Sequence, residues 1–446
     1  MTALFNQILT KLHNSTGAFI GLLYFAALLF IMKQYNATVI SIGDELLIGQ
    51  TVNTNATWMG QKLNSIGIKL TEVLTITDEE PAILDALTVA TKKADIVLLT
   101  GGLGPTKDDI TKKTLAQYFN TDLVLNEEIL EMLKAYFKKR GRPLLQSTAE
   151  LAYMPANCKV IFNKKGTAAG MWWNYENTII VSMPGVPYEM KAMMEERILP
   201  RFQKLFKLPA IVHKTIMVAG VGESIVAEKI KTIEENLPEH IKLAYLPRLG
   251  VLRLRLSGIG KIEALLNNEI ATYITQICAL LPNHQYGFDE ALLTETLQQQ
   301  FIAQNLTLAT AESCTGGQIA AQIVQIPGSS AYFNGGIVAY SNTVKQNLLN
   351  IDAELINKVG AVSKEVVEAM AANVINVLNS DYSIAVSGIA GPTGGSEAKP
   401  VGTVWIAVAS KTEVYSKMYC FPLQRANNIL LTANYGLYML WRLVNG

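Results

Sequence analysis

The chain has 446 residues, half of them hydrophobic and 17% charged, which is too much for one core and sets an expectation of two or three globular domains. The net charge is +1 with no basic run, so nothing argues for electrostatic binding of nucleic acid. Cys158, Cys278, Cys314 and Cys420 lie far apart with no C-x-x-C pair, which argues against a zinc knuckle or a disulfide framework and for a reducing compartment. The run "NSTGAFIGLLYFAALLFIM" over residues 14–32 carries no charge, and about twenty apolar residues can span a bilayer as a helix. No A-x-A cleavage site follows it. Residues 1–36 are therefore read as an apolar leader, either an inner-membrane anchor or a stretch upstream of a true start at Met32. A cytoplasmic protein is the expectation, with a membrane location only if the leader is real.

Past the leader, "TVISIG" reads as a buried strand beginning at Thr38, and "NTNATWMGQKLNSIG" as a helix stopped at Gly67. "KLTEVLTIT" is a strand, "PAILDALTVATKKA" a helix with Pro81 in its first turn, "DIVLLTGG" a strand and "DDITKKTLAQYF" a helix. This alternation implies parallel βαβ units, whose ligands sit beyond the carboxyl ends of the strands. A further strand, "TIIVSMPG", and the helical stretch "YEMKAMMEERILPRFQKLF" close a first domain over residues 37–207. Residues 208–286 read as a small α+β unit, with "VLRLRLSG" alternating as a half-exposed strand and "LPNHQYGFDE" as a linker. The last domain, residues 287–446, opens with the helix "LLTETLQQQFIAQ". The strands "LTLATAES", "YFNGGIVAYS", "YSIAVSGIAGP" and "GTVWIAVAS" follow, and a final apolar helix packs across the sheet. The fold class is multidomain α/β.

Two sets of residues carry chemistry. In the first domain, Asp44 follows a strand end, Asp78 closes another strand, and Asp108 and Asp109 follow "TGGLGPTK" before a helix. A glycine-rich turn lets backbone N–H groups approach a phosphate, with Thr100, Thr106 and Lys107 as further donors. Carboxylates converging there can hold a hard divalent cation that bridges pyrophosphate oxygens. Each acid alone is equally a helix cap.

In the last domain, "AESCTGG" sets Ser313 beside Cys314 before Gly316 and Gly317. A turn there exposes a nucleophile and offers backbone N–H groups to an oxyanion. The histidines are His13, His213, His240 and His284, so a Ser-His-Asp triad built wholly within this domain is excluded. A lysine with a lowered pKa can act as base instead, and Lys345 in "VAYSNTVK" is the candidate, with the Tyr340 hydroxyl placed to relay a proton or orient the amine. Ser329 and Ser330 supply further hydroxyls. Cys314 is the rival nucleophile. Strand alternation allows only one of Ser313 and Cys314 to face a pocket, and the residues alone leave the choice open.

The runs "SIGDELLIGQTVNTNATWMGQKL", "TGGLGPTKDD" and "MPGVPYEM", with "AESCTGG", "GSSAYFNGGIVAYSNTVK", "GAVS" and "SGIAGPTGG", closely resemble the CinA-like (competence/damage-inducible) family over residues 37–446. The resemblance implies a MoaB/MogA-like three-layer N-terminal domain, a KH-like middle domain and a C-terminal amidase domain similar to the stand-alone PncC enzymes. "AGVGES" lacks the basic helix of a nucleic-acid clamp, so no nucleic-acid partner is expected. The implied activities are hydrolysis of the carboxamide of nicotinamide mononucleotide (NMN) to nicotinic acid mononucleotide and ammonia, and metal-dependent hydrolysis of ADP-ribose. Carried over, Ser313 is the nucleophile, Lys345 the base and Tyr340 its helper. Thr315, Gly316, Gly317, Ser329, Gly391, Thr393, Gly394 and Arg425 border the nucleotide. Asp44, Asp78, Asp108 and Asp109 hold a divalent metal ion, Gly101, Gly102, Gly104 and Thr106 face phosphate, and Glu189 borders that site. No cofactor is expected at the amidase site, and the chain is expected to form a homodimer.

Overall fold

A computed structural model describes residues 33–446, so the apolar leader lies outside the described residues. Two compact units divide the chain, one reaching Ile211 and including Ile259–Glu263, the other formed by Val212–Gly258 and Ala264–Gly446. Among the described residues no helix is long and apolar enough to cross a membrane.

The first unit is built on a six-stranded sheet. Strands β1 (Tyr35–Ile42), β2 (Ile68–Ile76), β3 (Ile96–Thr100), β6 (Lys159–Ile161), β7 (Gly170–Tyr175) and β8 (Thr178–Met183) stand in the order β2-β1-β3-β8-β7-β6. β2, β1, β3 and β8 are parallel, as the βαβ alternation requires, while β7 runs antiparallel to both of its neighbours, β8 and β6. β3, "IVLLT", is buried at every position, because helices cover both faces. Its side chains therefore serve two cores: Val97 and Leu99 pack with Leu87, Leu115 and Trp173, whereas Ile96 and Leu98 pack with Met59, Trp172 and Phe202. A two-stranded ribbon, β4 (Leu123–Leu125) with β5 (Tyr153–Pro155), is attached to this unit. The last helical stretch is two helices, Pro187–Met193 and Leu199–Leu205, joined by a π turn over Met194–Ile198.

The second unit begins with a four-stranded sheet of β9 (Ala210–Ala219), β10 (Ile241–Arg248), β11 (Val251–Gly260) and β12 (Gln285–Phe288), ordered β10-β11-β9-β12. β12 corrects the linker reading of "LPNHQYGFDE": its backbone pairs with β9. The alternating side chains of β11 place Leu252, Leu254 and Leu256 against Ile230, Ile270 and Ile277 of the helices Glu223–Glu235 and Glu263–Leu280.

The final sheet orders β14 (Phe333–Val338), β13 (Leu308–Glu312), β15 (Tyr382–Gly388), β16 (Thr403–Ser410) and β17 (Val414–Cys420). β14, β13 and β15 are parallel, while β16 runs antiparallel to both of its neighbours, β15 and β17. Helix Lys364–Leu378 covers one face with Val367, Met370 and Val374, and helix Arg425–Asn445 covers the other with Ala433, Leu437 and Leu440. Met217, Ala219 and Tyr286 of the preceding sheet extend this second core.

Candidate active sites

The C-terminal site forms where β13 ends. "LATAE" is buried at all five positions, so Glu312 arrives as a carboxylate with 1% exposure. A buried charge needs donors, and the following turn provides them. Glu312 Oε2 accepts from Thr315 Oγ1 at 2.7 Å and from the N–H groups of Gly317 and Ile319 at 3.1 and 3.0 Å. Oε1 accepts from Ala320 N–H at 2.8 Å. The turn is thereby laced to the last strand residue and leads into helix Gln318–Val324. Gly316 N–H bonds the Ser313 carbonyl at 3.2 Å, and Ser313 N–H bonds Val386 O at 3.0 Å. Among the described residues, the N–H groups of Cys314 and Thr315 meet no backbone carbonyl. The oxyanion donors expected across this turn therefore narrow to those two. Gly316 has φ +62° with open space around a would-be Cβ, a backbone that disfavours any other residue.

Lys345 lies on helix Asn342–Leu349, whose N-cap Ser341 accepts from Val344 N–H at 3.2 Å. The side chain is 1% exposed. Its Nζ stands 3.1 Å from Ser313 Oγ and donates to the carbonyls of Ala339 at 2.8 Å and Tyr340 at 3.3 Å. A neutral amine has two N–H bonds and one lone pair. With both N–H bonds taken by carbonyls, the lone pair is left for the serine hydroxyl. Burial lowers the Lys345 pKa from its ordinary 10.5, against a weaker upward pull from Cys314.

Cys314 turns the other way. It is 6% exposed and packs in the apolar core with Ile319, Val386 and Phe421. Burial pushes its thiol up to about 12, so it stays protonated and poorly nucleophilic near neutral pH. The geometry thus separates the two neighbours in the direction strand alternation required.

Tyr340 departs from the expectation. Its hydroxyl is exposed and accepts from Arg425 Nη2 at 3.1 Å, and it is the Tyr340 carbonyl that meets Lys345. Arg425 opens the last helix, and its Nη1 donates to Gly391 O at 2.7 Å. One guanidinium therefore joins Tyr340 to the loop after β15. Asn428, fully buried, fixes the same loop by donating to Ala390 O at 3.1 Å. Thr393 and Gly394 lie exposed further along it. Ser329 is corrected: it sits in a short helical turn just before β14, and Leu308 pairs with Phe333 while Glu312 pairs with Val338. Parallel strands start at the same edge, so Ser329 and Ser330 lie at the opposite end of the sheet from Ser313. Glu312 and Asn428 were missed. An acid closing an otherwise apolar strand was the available signal for Glu312; Asn428 had none.

The N-terminal site gathers around the ends of β1, β3 and β8. Gly101 has φ +120°, and a Cβ there would stand 2.2 Å from Ile42 O, so only glycine lets the two strand ends approach. The N–H groups of Gly102, Leu103 and Gly104 meet no backbone carbonyl among the described residues. A cavity of about 470 Å³ is lined by Glu45, Asp78, Asp108, Asp109 and Glu189 together with Gly101, Gly102 and Gly104. Burial raises the Asp78 carboxyl above its ordinary 3.8, and the charges of Asp44, Glu45 and Asp109 add to the rise against the Asp44 N–H bond. Asp44 meets Asp78 through its backbone N–H at 3.3 Å, and its neighbour Glu45 lines the cavity instead. Asp109 accepts from both the N–H and the hydroxyl of Thr106, so that hydroxyl is already engaged. Glu189, 7% exposed, accepts from Asn163 Nδ2 at 2.6 Å. Among the described residues no three His, Cys, Asp or Glu side chains stand together closely enough to enclose an ion. The donors are nonetheless all hard oxygen. They fit a divalent cation held by one or two carboxylates and completed by phosphate oxygens.

Fold and sites together define a multidomain α/β protein with two separate glycine-walled sites at strand ends. Its N-terminal domain is MoaB-like, residues 38–204 matching the family described as a probable molybdopterin binding domain. Residues 213–287 match the damage-inducible protein CinA KH domain, and residues 290–444 the CinA C-terminal domain. A CinA-like protein of Flavobacterium psychrophilum is 44% identical over 411 residues, covering 91% of this chain and 98% of that protein. Another, from Cytophaga hutchinsonii, is 43% identical over 397 residues, covering 89% and 95%. The solved structure of the protein CinA from Thermoplasma acidophilum is 35% identical. It covers 38% of this chain and 97% of that one with a TM-score of 0.35. The chain belongs to the CinA-like family.

Proposed function

We propose that the C-terminal domain is a serine amidase that hydrolyses the carboxamide of NMN. The observation that carries this reading is the Lys345 amine, buried, 3.1 Å from Ser313 Oγ and held by two carbonyls. Ser313 Oγ attacks the carboxamide carbon as its proton passes to Lys345 Nζ. The N–H groups of Cys314 and Thr315 receive the negative charge that develops on the carboxamide oxygen. The ammonium then gives its proton to the departing nitrogen, ammonia leaves, and an ester to Ser313 remains. Water, losing its proton to Lys345, attacks the ester carbon, and the lysine passes that proton to Ser313 Oγ as its bond to the acyl group breaks and nicotinic acid mononucleotide leaves. Arg425 and the loop from Gly391 to Gly394 border the nucleotide, and Arg425 is the candidate phosphate ligand. Ammonia release from NMN that persists in Lys345→Met defeats this assignment.

The N-terminal domain is proposed to hydrolyse the pyrophosphate of ADP-ribose to AMP and ribose 5-phosphate. Glu45, Asp78 and Asp108 are the residues that would hold a divalent cation, which when bound would neutralise phosphate charge. The unpaired N–H groups of Gly102 to Gly104 face phosphate, and Glu189 closes the wall. Loss of the activity on chelation and in Asp78→Asn tests this. The lack, among the described residues, of three converging carboxylates favours a second reading, in which the domain holds a pterin or nucleotide without cleaving it; the family its residues 38–204 match is described as a probable molybdopterin binding domain. Binding without turnover in the presence of magnesium and manganese would select that reading.

A further inference from the structure

The middle sheet and the amidase domain form one compact unit, Val212–Gly258 with Ala264–Gly446. Their common seat is the last helix, Arg425–Asn445, whose Ala433, Leu437 and Leu440 pack on the amidase sheet. Asn434 and Tyr438 stand one turn apart on that helix and share a face. Two glycines of the middle sheet meet them. Gly220 has φ +72°, and a Cβ there would stand 2.0 Å from the Tyr438 ring. Gly250 has φ +76°, and a Cβ there would stand 2.9 Å from Asn434 Cβ. Glycine alone suits both the backbone and the close approach.

Asn434 also joins two elements by hydrogen bonds. Arg248 pairs with Val251, so Leu249 and Gly250 are the two-residue turn of the β10–β11 hairpin. Asn434 Nδ2 donates to Leu249 O at 2.7 Å. A carbonyl only accepts, so the Asn434 amide oxygen points the other way, where it accepts from Gln322 Nε2 at 3.1 Å. Gln322 belongs to the seven-residue helix Gln318–Val324, which follows the Ser313 turn. Glu312 anchors only the start of that helix, through the N–H groups of Ile319 and Ala320. Ile319 and Ile323 set its depth in the core. Among the described residues, Gln322 is the one side chain of this helix that hydrogen-bonds beyond it. That bond fixes the direction of the helix, and with it the direction of the Cys314 and Thr315 N–H groups just before.

We propose that Asn434 is a positioning residue of the amidase, through which the β10–β11 hairpin of the middle sheet holds the helix behind Ser313. It touches no reacting atom and acts through Gln322. The rate of deamidation is thereby tied to how the middle sheet is seated. This rests on the proposed amidase reading.

The test compares the full chain carrying Asn434→Asp, Gln322→Ala, or both with the wild type. Asn434→Asp keeps an acceptor for Gln322 and loses the donor to Leu249, whereas Gln322→Ala keeps the hairpin bond and frees the helix. Each should lower kcat for ammonia release from NMN on the order of tenfold and change KM less than about twofold, because small displacements of aligned groups are costly. The double variant should be no slower than the slower single one, since both break one link. Thermal melts check that each variant is folded. A second readout needs no natural substrate: the rate at which a fluorophosphonate, a general serine-directed reagent, modifies Ser313 should fall in step with kcat. An unchanged kcat in either single variant, a loss carried by KM, or additive losses in the double variant overturns the assignment. A wild type inert to NMN whose Ser313 modification slows in both single variants supports the positioning role and overturns only the choice of substrate. A wild type that neither deamidates NMN nor reacts with the reagent overturns both.

Discussion

A lysine taken out of water resists its charge, and that resistance is what turns Lys345 into a base. Because burial lowers its pKa below 10.5, the unfolded chain binds more protons than the folded one between the two values. Stability therefore rises with pH through that window, and deamidation rises over its lower part as the amine loses its proton. In Lys345→Met both dependences should vanish. Ammonia release should fall by at least about a thousandfold, while the thermal midpoint at pH 7 should not drop, since an apolar side chain of similar length suits the site better than a buried ammonium. A melt series from pH 6 to 10 beside a pH–rate profile checks this. Lys345 was legible as a candidate base because no histidine lies within the last domain, whereas the residues alone left Ser313 and Cys314 open and the resemblance chose the serine. The Tyr340 hydroxyl was misplaced because Tyr340 precedes the N-cap Ser341, and nearness along the chain does not say whether its side chain or its carbonyl meets Lys345.

At the scale of the element, the turn after β13 stands or falls with Glu312. Four hydrogen bonds converge on its carboxylate, and they consume the N–H groups that would otherwise compete as oxyanion donors. Glu312→Ala should leave buried donors unpaired and cost about 2–4 kcal/mol of stability. Its loss of kcat should exceed its change in KM for NMN, because the turn shapes the reacting groups. Denaturant melts and steady-state kinetics measure the two effects. The parallel strands were readable as apolar runs. β12 was not, having four residues beside a turn, and neither was β17, whose edge position exposes both faces and erases the alternation. Ser329 was assigned to the site because its distance along the chain says nothing about which end of a parallel sheet it occupies.

For the whole molecule, two sites of different chemistry lie in two units of one chain. The account predicts that they are separable. Asp78→Asn should abolish ADP-ribose hydrolysis and leave ammonia release from NMN unchanged. It should also raise the thermal midpoint of the metal-free first unit near neutral pH. The Asp78 carboxyl has its pKa raised, so the folded state holds its proton more tightly and wild-type stability falls as pH climbs from 3.8 through the raised value. Added magnesium should stabilise the wild type more than the variant. Differential scanning calorimetry with and without the cation decides it.

The central claim is that a serine activated by a buried lysine carries the amidase. Its most direct test is ammonia release from NMN by the full chain carrying Ser313→Ala, beside the same chain carrying Cys314→Ala. The account predicts loss of activity in the first and retention within a few-fold in the second. Loss in Cys314→Ala with activity preserved in Ser313→Ala would contradict it.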